Sequence, residues 1–115
     1  MTTTIFTGKQ ATGKTTEAIK ISETKTSLWL TSILDFDVKQ IDDSVDLIVI
    51  DDVHFNGSNS ESILTLINAK TFTYRKPYAI SPLTIPAPDL LLITNTPIDQ
   101  IPKEILDNST VKFFN

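Results

Sequence analysis

Five short apolar runs, separated by polar segments, mark this sequence. They cover residues 3–7, 27–32, 45–52, 89–95 and 111–115. All are of strand length, and the third and fourth contain the unbroken apolar stretches LIVI and LLLI. Unbroken apolar runs are typical of parallel strands covered on both faces. We therefore predict five strands, with the third and fourth runs at the centre of a sheet.

Three of the intervening segments have helical character. Residues 14–23 are helix-compatible and place three side chains on one side: Ala18, Ile19 and Ser22. Residues 33–43 are compatible with a short helix, and its predicted core contacts are Phe36, Val38 and Ile41. Residues 98–108 can supply a further short helix.

A fourth helix is predicted at about residues 60–69. Ser58 is followed three residues later by Glu61, which is the capping-box pattern of a helix N-terminus. Helical apolar spacing then continues through Ile63, Leu66 and Ile67.

The segment between this helix and the fourth run reads as a β-hairpin that projects from the sheet. Phe72 and Tyr74 alternate with polar residues, and apolar residues resume after Pro77. Prolines at three later positions exclude a central strand: Pro82, Pro86 and Pro88. Strands separated by helices otherwise pair in parallel through right-handed crossovers, which predicts an open α/β sheet with helices on both faces. Ligands bind such sheets beyond the carboxyl ends of the strands.

Composition limits the chemistry. The chain of 115 residues is predicted to form one domain, residues 1–115, with 40% hydrophobic and 21% charged residues. No apolar run approaches the roughly 18 residues of a membrane span, and no signal peptide is recognisable, so we expect an intracellular, cytoplasmic location. Cysteine is absent and His54 is the only histidine, which excludes thiol catalysis and an imidazole metal cluster.

The net charge of −4 argues against a surface that binds nucleic acid by electrostatics alone. Positive charge is concentrated locally at Lys70, Arg75 and Lys76, within the predicted hairpin region. A solvated loop is the alternative interpretation of these residues.

The stretch GKQATGKTT follows the first predicted strand and fits the pattern G-x-x-x-x-G-K-[ST]. Gly8 and Gly13 permit a backbone path that turns N–H groups towards phosphate oxygens at a helix N-terminus. Lys14 would reach the β and γ phosphates, and Thr15 would offer its hydroxyl to Mg²⁺. Thr16 would contact the α-phosphate region or cap the first turn. ATP and Mg²⁺ are the predicted ligands.

Acidic residues follow the central run LIVI, as a triphosphate site requires. Asp51 is expected to hold Mg²⁺ through water, and Asp52 to act as the general base for an attacking water. Asn95 ends the fourth run, where its amide could orient that water; an ordinary turn residue before Pro97 is the alternative. We assign no catalytic role to His54. Four aromatic residues are interpreted as core and not as a base-stacking platform: Trp29, Phe36, Phe113 and Phe114.

In this order the motifs resemble the ATPase core of superfamily 3 helicases, the replication helicases of small DNA viruses and mobile elements. GKQATGKTT resembles their Walker A motif, LIVIDDVHF their Walker B motif and LLLITNTP their motif C. The resemblance implies a P-loop NTPase fold of three α/β/α layers, a mainly parallel sheet with strand order 5-1-4-3-2, and an inserted hairpin. It also implies that Lys76, and next Arg75, contact single-stranded nucleic acid.

Two departures from this family are visible. Its members form hexameric rings in which a neighbouring subunit supplies an arginine finger, but Arg75 is the only arginine here and lies in the hairpin. Lys103 or Lys112 would have to substitute. The chain also begins almost at the first strand and ends at the last, so we expect a truncated core without the flanking domains of the family.

Three functions remain open from the sequence. The first is a minimal P-loop ATPase that couples slow hydrolysis to nucleic-acid or partner binding, alone or in a ring. The second is a nucleotide-binding module, deficient in hydrolysis, that associates with or interferes with a full-length helicase. The third, a small P-loop kinase, lacks the arginines and the chain length for a lid.

Overall fold

A five-stranded parallel sheet forms the centre of the computed structural model, which describes residues 2–10, 12–36, 44–74 and 80–114. The helices and strands follow one another as β1 (Thr3–Gly8), α1 (Lys14–Ser22), β2 (Ser27–Leu30), β3 (Leu47–Ile50), α2 (Gly57–Asn68), β4 (Thr71–Tyr74), β5 (Leu83–Pro86), β6 (Asp89–Thr94), α3 (Lys103–Asp107) and β7 (Thr110–Phe114).

The main sheet has the order β2-β3-β6-β1-β7, and all four neighbouring pairs are parallel. Strands β4 and β5 form a separate antiparallel pair, which confirms the predicted hairpin. The α/β class and the five predicted strands are also confirmed. Because the five strands run in one direction, the segments that follow β3, β6 and β1 leave the same edge of the sheet.

Alternation along the strands creates an apolar layer on each face of the sheet. Ile48 and Ile50 contribute to the larger layer, which includes side chains of α2 and α3. Leu47 and Val49 point the other way and pack with Ala18 of α1. All four residues of β3 are at most 4% exposed, as expected for a strand covered on both faces.

The start of α2 differs from the sequence prediction. The helix begins at Gly57, and its N-cap residue Asn56 forms no side-chain capping bond. Ser58 therefore lies inside the helix, and the capping-box prediction was wrong. The apolar spacing was correct, since three residues bury their side chains against the sheet: Ile63, Leu66 and Ile67.

Two predicted helices are shorter than expected. Residues 98–108 divide into a 3₁₀ turn at Ile98–Gln100 and the short helix α3, for which Pro102 is the N-cap. Within 33–43 the structure shows a 3₁₀ turn at Ile33–Asp35, and Phe36 packs against Phe72 with tilted rings and centroids 5.6 Å apart. The predicted contacts of Val38 and Ile41 lie outside the described residues.

Some apolar residues predicted to face the core do not. Ile19 on α1 is 45% exposed and Trp29 is 37% exposed, while Ile21 packs against the sheet. Phe113 is 59% exposed, so its assignment to the core was wrong. Its neighbour Phe114 does pack, with its ring centroid 4.9 Å from that of Phe6. The reason is position, because β7 is an edge strand with one neighbour.

The helices of the described chain are all short. The longest, α2, has 12 residues, and among the described segments no helix has the length and apolar character needed to cross a bilayer.

We predict that Gly8→Ala destabilises the fold far more than Gly57→Ala. Both glycines have positive φ, 155° and 38°, at which an L-residue is strained. A Cβ at Gly8 would also overlap the carbonyl oxygen of Phe114, whereas a Cβ at Gly57 meets open space. We expect losses of about 3 kcal/mol at Gly8 and about 1 kcal/mol at Gly57 in urea unfolding. Equal losses would show that β7 does not approach β1 this closely.

Candidate functional site

The loop between β1 and α1 exposes the N-terminus of a helix. Gly13 is the N-cap of α1 in a left-handed conformation (φ 90°, ψ 11°), and no side chain caps this end. The first N–H groups of a helix have no partner within the helix, and the helix dipole is positive there. Thr15 and Thr16, both exposed, lie in this first turn. The geometry suits an anion such as a phosphate group.

Lys14 is buried beneath the loop, with 5% of its surface exposed. Its Nζ donates hydrogen bonds to the carbonyl oxygens of Gly8 (2.9 Å) and Lys9 (2.5 Å) and to Oγ1 of Thr12 (3.3 Å). Burial lowers the pKa of Lys14 below its ordinary value, and the negative charge of Asp51 opposes that shift. The loop thus holds a partly desolvated cation close to an acid.

Two acidic residues follow β3, as the sequence predicts. Asp51 extends the strand by one bond, from its N–H to the carbonyl of Leu30 (2.8 Å), and its Oδ1 accepts the N–H of Asp52 (2.9 Å). Asp52 has φ 57°, a left-handed conformation that costs a non-glycine residue about 1–2 kcal/mol. Such conformations concentrate at functional sites.

His54 lies near this acidic pair, with Nε2 3.6 Å from Oδ2 of Asp52. Both side chains are about two-thirds exposed, at 67% and 66%. Water screens an exposed pair at this distance, so the contact contributes little.

A cavity of about 340 Å³ brings most of the predicted site residues together. Its walls include seven of them: Gly13, Lys14, Thr15, Thr16, Asp51, Asp52 and Asn95. Gly8 is not on the wall and contributes its carbonyl to Lys14. The cavity also has four lining residues that sequence reasoning missed: Gln10, Thr12, Ile93 and Thr94. Gln10 and Thr12 occupy unspecified positions of the glycine pattern, so the motif gave no signal for them.

Metal ligation at this cavity would need more than its carboxylates. Among the described residues, no group of three or more His, Cys, Asp and Glu side chains is placed to hold a metal ion. Asp51 and the hydroxyl of Thr15 offer hard oxygen atoms, which Mg²⁺ prefers. It usually completes its coordination with water and substrate phosphates, so two protein oxygens fit that cation.

The predicted nucleic-acid residues cannot be placed in the same way. Arg75 and Lys76 lie outside the described residues. Lys70 is exposed and directly precedes β4, at the start of the hairpin.

No protein-family model and no curated protein matches this sequence. Solved structures do match it. The A form apo structure of the NrS-1 C-terminal region aligns with 98% of this chain, with a TM-score of 0.64 and 16% identity. A second A form apo structure of that region aligns with 99%, with a TM-score of 0.63 and 18% identity. This chain spans 28% of the length of each. At such identities the likeness shows a shared fold, and membership of superfamily 3 stays a prediction.

We predict that Lys14 gives the free energy of unfolding a measurable pH dependence. Because the pKa of Lys14 is lowered in the folded state, the unfolded chain binds the proton more strongly between that pKa and 10.5. The free energy of unfolding of the wild-type protein, relative to that of Lys14→Met, should therefore rise as the pH increases through that window. Urea unfolding at a series of alkaline pH values measures it. The exposed control Lys20→Met should follow the wild-type curve, and a Lys14→Met curve parallel to wild type would contradict the prediction.

Proposed function

We propose that this chain binds Mg–ATP in the cavity at the carboxyl ends of β1, β3 and β6. One observation carries the proposal: the glycine loop, the acidic pair and Asn95 come from three separate parts of the sequence and line one cavity. The topology supports it. Numbered within the main sheet alone, the order β2-β3-β6-β1-β7 becomes 2-3-4-1-5, which from the other edge is the P-loop order 5-1-4-3-2.

Different residues of the cavity would bind the phosphates and the metal ion. The triphosphate lies against the free N–H groups at the start of α1, for which Gly13 provides the left-handed turn. Lys14 exchanges its carbonyl partners for β and γ phosphate oxygens, and Thr16 contacts the α phosphate. The hydroxyl of Thr15, and Asp51 through water, would hold Mg²⁺, which would supply positive charge to the phosphates.

Hydrolysis would use the two remaining polar groups of the cavity. Asn95 orients a water molecule in line with the γ phosphate, and Asp52 accepts its proton as the oxygen attacks phosphorus. The bond between the γ phosphorus and the bridging oxygen breaks, which releases ADP and inorganic phosphate. The left-handed conformation of Asp52 supports a functional role, because it costs free energy in the folded state.

A second candidate is a nucleotide-binding module that does not turn over ATP alone and associates with a larger helicase. This candidate is favoured by the neighbours of Lys112, which is one of the two lysines that would have to substitute for an arginine finger. Its Nζ lies 3.7 Å from Oε1 of Glu17 and 5.2 Å from the ring centroid of Phe114. Lys112 thus has an acidic and an aromatic neighbour within its own chain, and water weakens the half-exposed ion pair. An arginine finger contributes roughly 10³ to 10⁵ in rate, so we expect slow turnover from this chain alone.

We predict that Lys14→Ala weakens Mg–ATP binding at least about tenfold, because it removes the cation that faces the phosphates. Asp52→Asn should keep the affinity within about threefold and lower phosphate release at least about 100-fold, since it removes the base. Titration calorimetry measures affinity, and release of labelled phosphate measures turnover.

Matched controls exist for both substitutions. Lys20→Ala removes an exposed lysine from α1, and Asp99→Asn removes an exposed acid that does not line the cavity. Both should behave as wild type. Equal binding by wild type and Lys14→Ala would reject the proposed site. Binding without phosphate release above the Asp52→Asn background would select the second candidate, and size-exclusion with a full-length helicase would then test association.

We further propose that the hairpin contacts single-stranded nucleic acid. Lys76→Ala should abolish any stimulation of phosphate release by single-stranded DNA, whereas Lys70→Ala should retain it. With one or two cations in contact, the total slope of log K against log salt should be about −0.7 to −1.4, far shallower than for a protein that contacts many phosphates. Stimulation that survives Lys76→Ala and Arg75→Ala together would reject this interface.

A further inference from the structure

Two buried threonine hydroxyls lie between the segments that form the cavity. Thr7 is 2% exposed and Thr94 is 1% exposed, and the two residues are Cα partners at the end of the ladder between β1 and β6. A buried hydroxyl is costly unless it is hydrogen bonded. The hydrogen-bond partners of these two hydroxyls therefore show which segments they connect. We refer to Thr7 and Thr94 together as the threonine bridge.

Thr94 fixes the chain after the acidic pair. Its Oγ1 donates to the carbonyl oxygen of Val53 at 2.7 Å, in a fully buried bond. The N–H of Val53 donates to the carbonyl of Ile93 at 2.8 Å. Both backbone groups of the residue that follows Asp52 are thus held by β6. This double contact keeps Asp52 at the start of a constrained segment, where its own φ is 57°.

The same bridge fixes the backbone after Asn95. The N–H of Thr96 donates to Oγ1 of Thr94 at 3.0 Å. The carbonyl oxygen of Thr96 accepts a hydrogen bond of 2.6 Å from Oγ1 of Thr7, the residue just before Gly8. Asn95 therefore lies between Thr94, which belongs to the bridge, and Thr96, whose N–H and carbonyl are both bonded to the bridge.

We infer that Thr7 and Thr94 are positioning residues that fix Asp52 and Asn95 relative to the glycine loop, an inference that rests on the proposed function. The bridge connects the ends of β1, β3 and β6 through two buried hydroxyls, and its bond from Thr94 to Val53 is fully buried, where a hydrogen bond is electrostatically strong. Thr94 lies on the cavity wall, but its hydroxyl is hydrogen bonded to Val53 and Thr96, so we assign the bridge no contact with the γ phosphate or the attacking water. The bridge acts by fixing the positions of Asp52 and Asn95, and a misplacement of about 1 Å can reduce a rate about 100-fold.

Thr94→Val tests the inference because it keeps the shape and removes the hydroxyl. We expect turnover to fall roughly 10- to 100-fold while the affinity for Mg–ATP changes less than about threefold, since the phosphate loop itself is intact. Thr94→Ser should restore most of the turnover because it restores the hydroxyl. Thr3→Val is the matched control: Thr3 is also buried in β1, at 6% exposure, but at the opposite end of the sheet.

Amide hydrogen exchange gives a readout that does not depend on nucleotide. In Thr94→Val the amide of Thr96 loses its acceptor, so its exchange should accelerate about tenfold or more. The amide of Val53 keeps its bond to Ile93 and should accelerate less, because only its carbonyl loses a partner. Thr94→Ser and Thr3→Val should leave both amides protected. If Thr94→Val does not fold, Thr7→Val removes only the bond to Thr96 and should produce a smaller change of the same kind.

The outcomes separate this inference from the proposed function. A folded Thr94→Val protein with wild-type exchange at Val53 and Thr96 and wild-type turnover would overturn the positioning role. An equal loss of turnover in Thr3→Val would also overturn it, since a general loss of stability would then explain both. Failure of the wild-type chain to bind Mg–ATP would reject the proposed function instead, and the exchange comparison would still decide whether the bridge holds these loops.

Discussion

Strand β1 is hydrogen bonded in parallel to β6 on one side and to β7 on the other, and the candidate site depends on this placement. The ladder with β6 sets Thr7 beside Thr94, so the glycine loop emerges next to Asn95. The ladder with β7 sets Gly8 beside Phe114, at a distance that leaves no room for a side chain. Gly8 therefore serves the packing of two strands as well as the course of the loop. Without both ladders, the loop that holds Lys14 would have no fixed origin.

The site combines a well-packed apolar sheet with a small number of buried polar groups. The described core is almost entirely aliphatic and aromatic, and its buried polar or charged residues are four: Thr3, Thr7, Lys14 and Thr94. Three of these lie at the carboxyl end of the sheet. Burial of Lys14 costs free energy and lowers its pKa, and three hydrogen bonds and the nearby charge of Asp51 favour its charged form. A buried cation of this kind is stabilised most strongly by a multiply charged anion.

The proposed division between binding and hydrolysis has a structural basis. Groups that would bind phosphate lie within the continuous segment from Gly8 to Thr16 and depend on local geometry. Asp52 and Asn95 follow the ends of other strands, β3 and β6, and depend on tertiary contacts. The chain shares its fold with the NrS-1 C-terminal region but spans 28% of its length, so elements beyond the ones described here accompany the same fold in that protein.

The sequence by itself determined the local parts of this protein. Unbroken apolar runs located β3 and β6, and the glycine pattern located the turn before α1, because neighbouring residues decide both. Only the tertiary structure decided that Phe113 lies exposed on an edge strand and that α2 begins at Gly57. It also decided the threonine bridge: Thr7 bonds a residue 89 positions away and Thr94 one 41 positions away. A threonine in an apolar run carries no mark of such a partner, since its hydroxyl finds an acceptor only once the sheet has assembled.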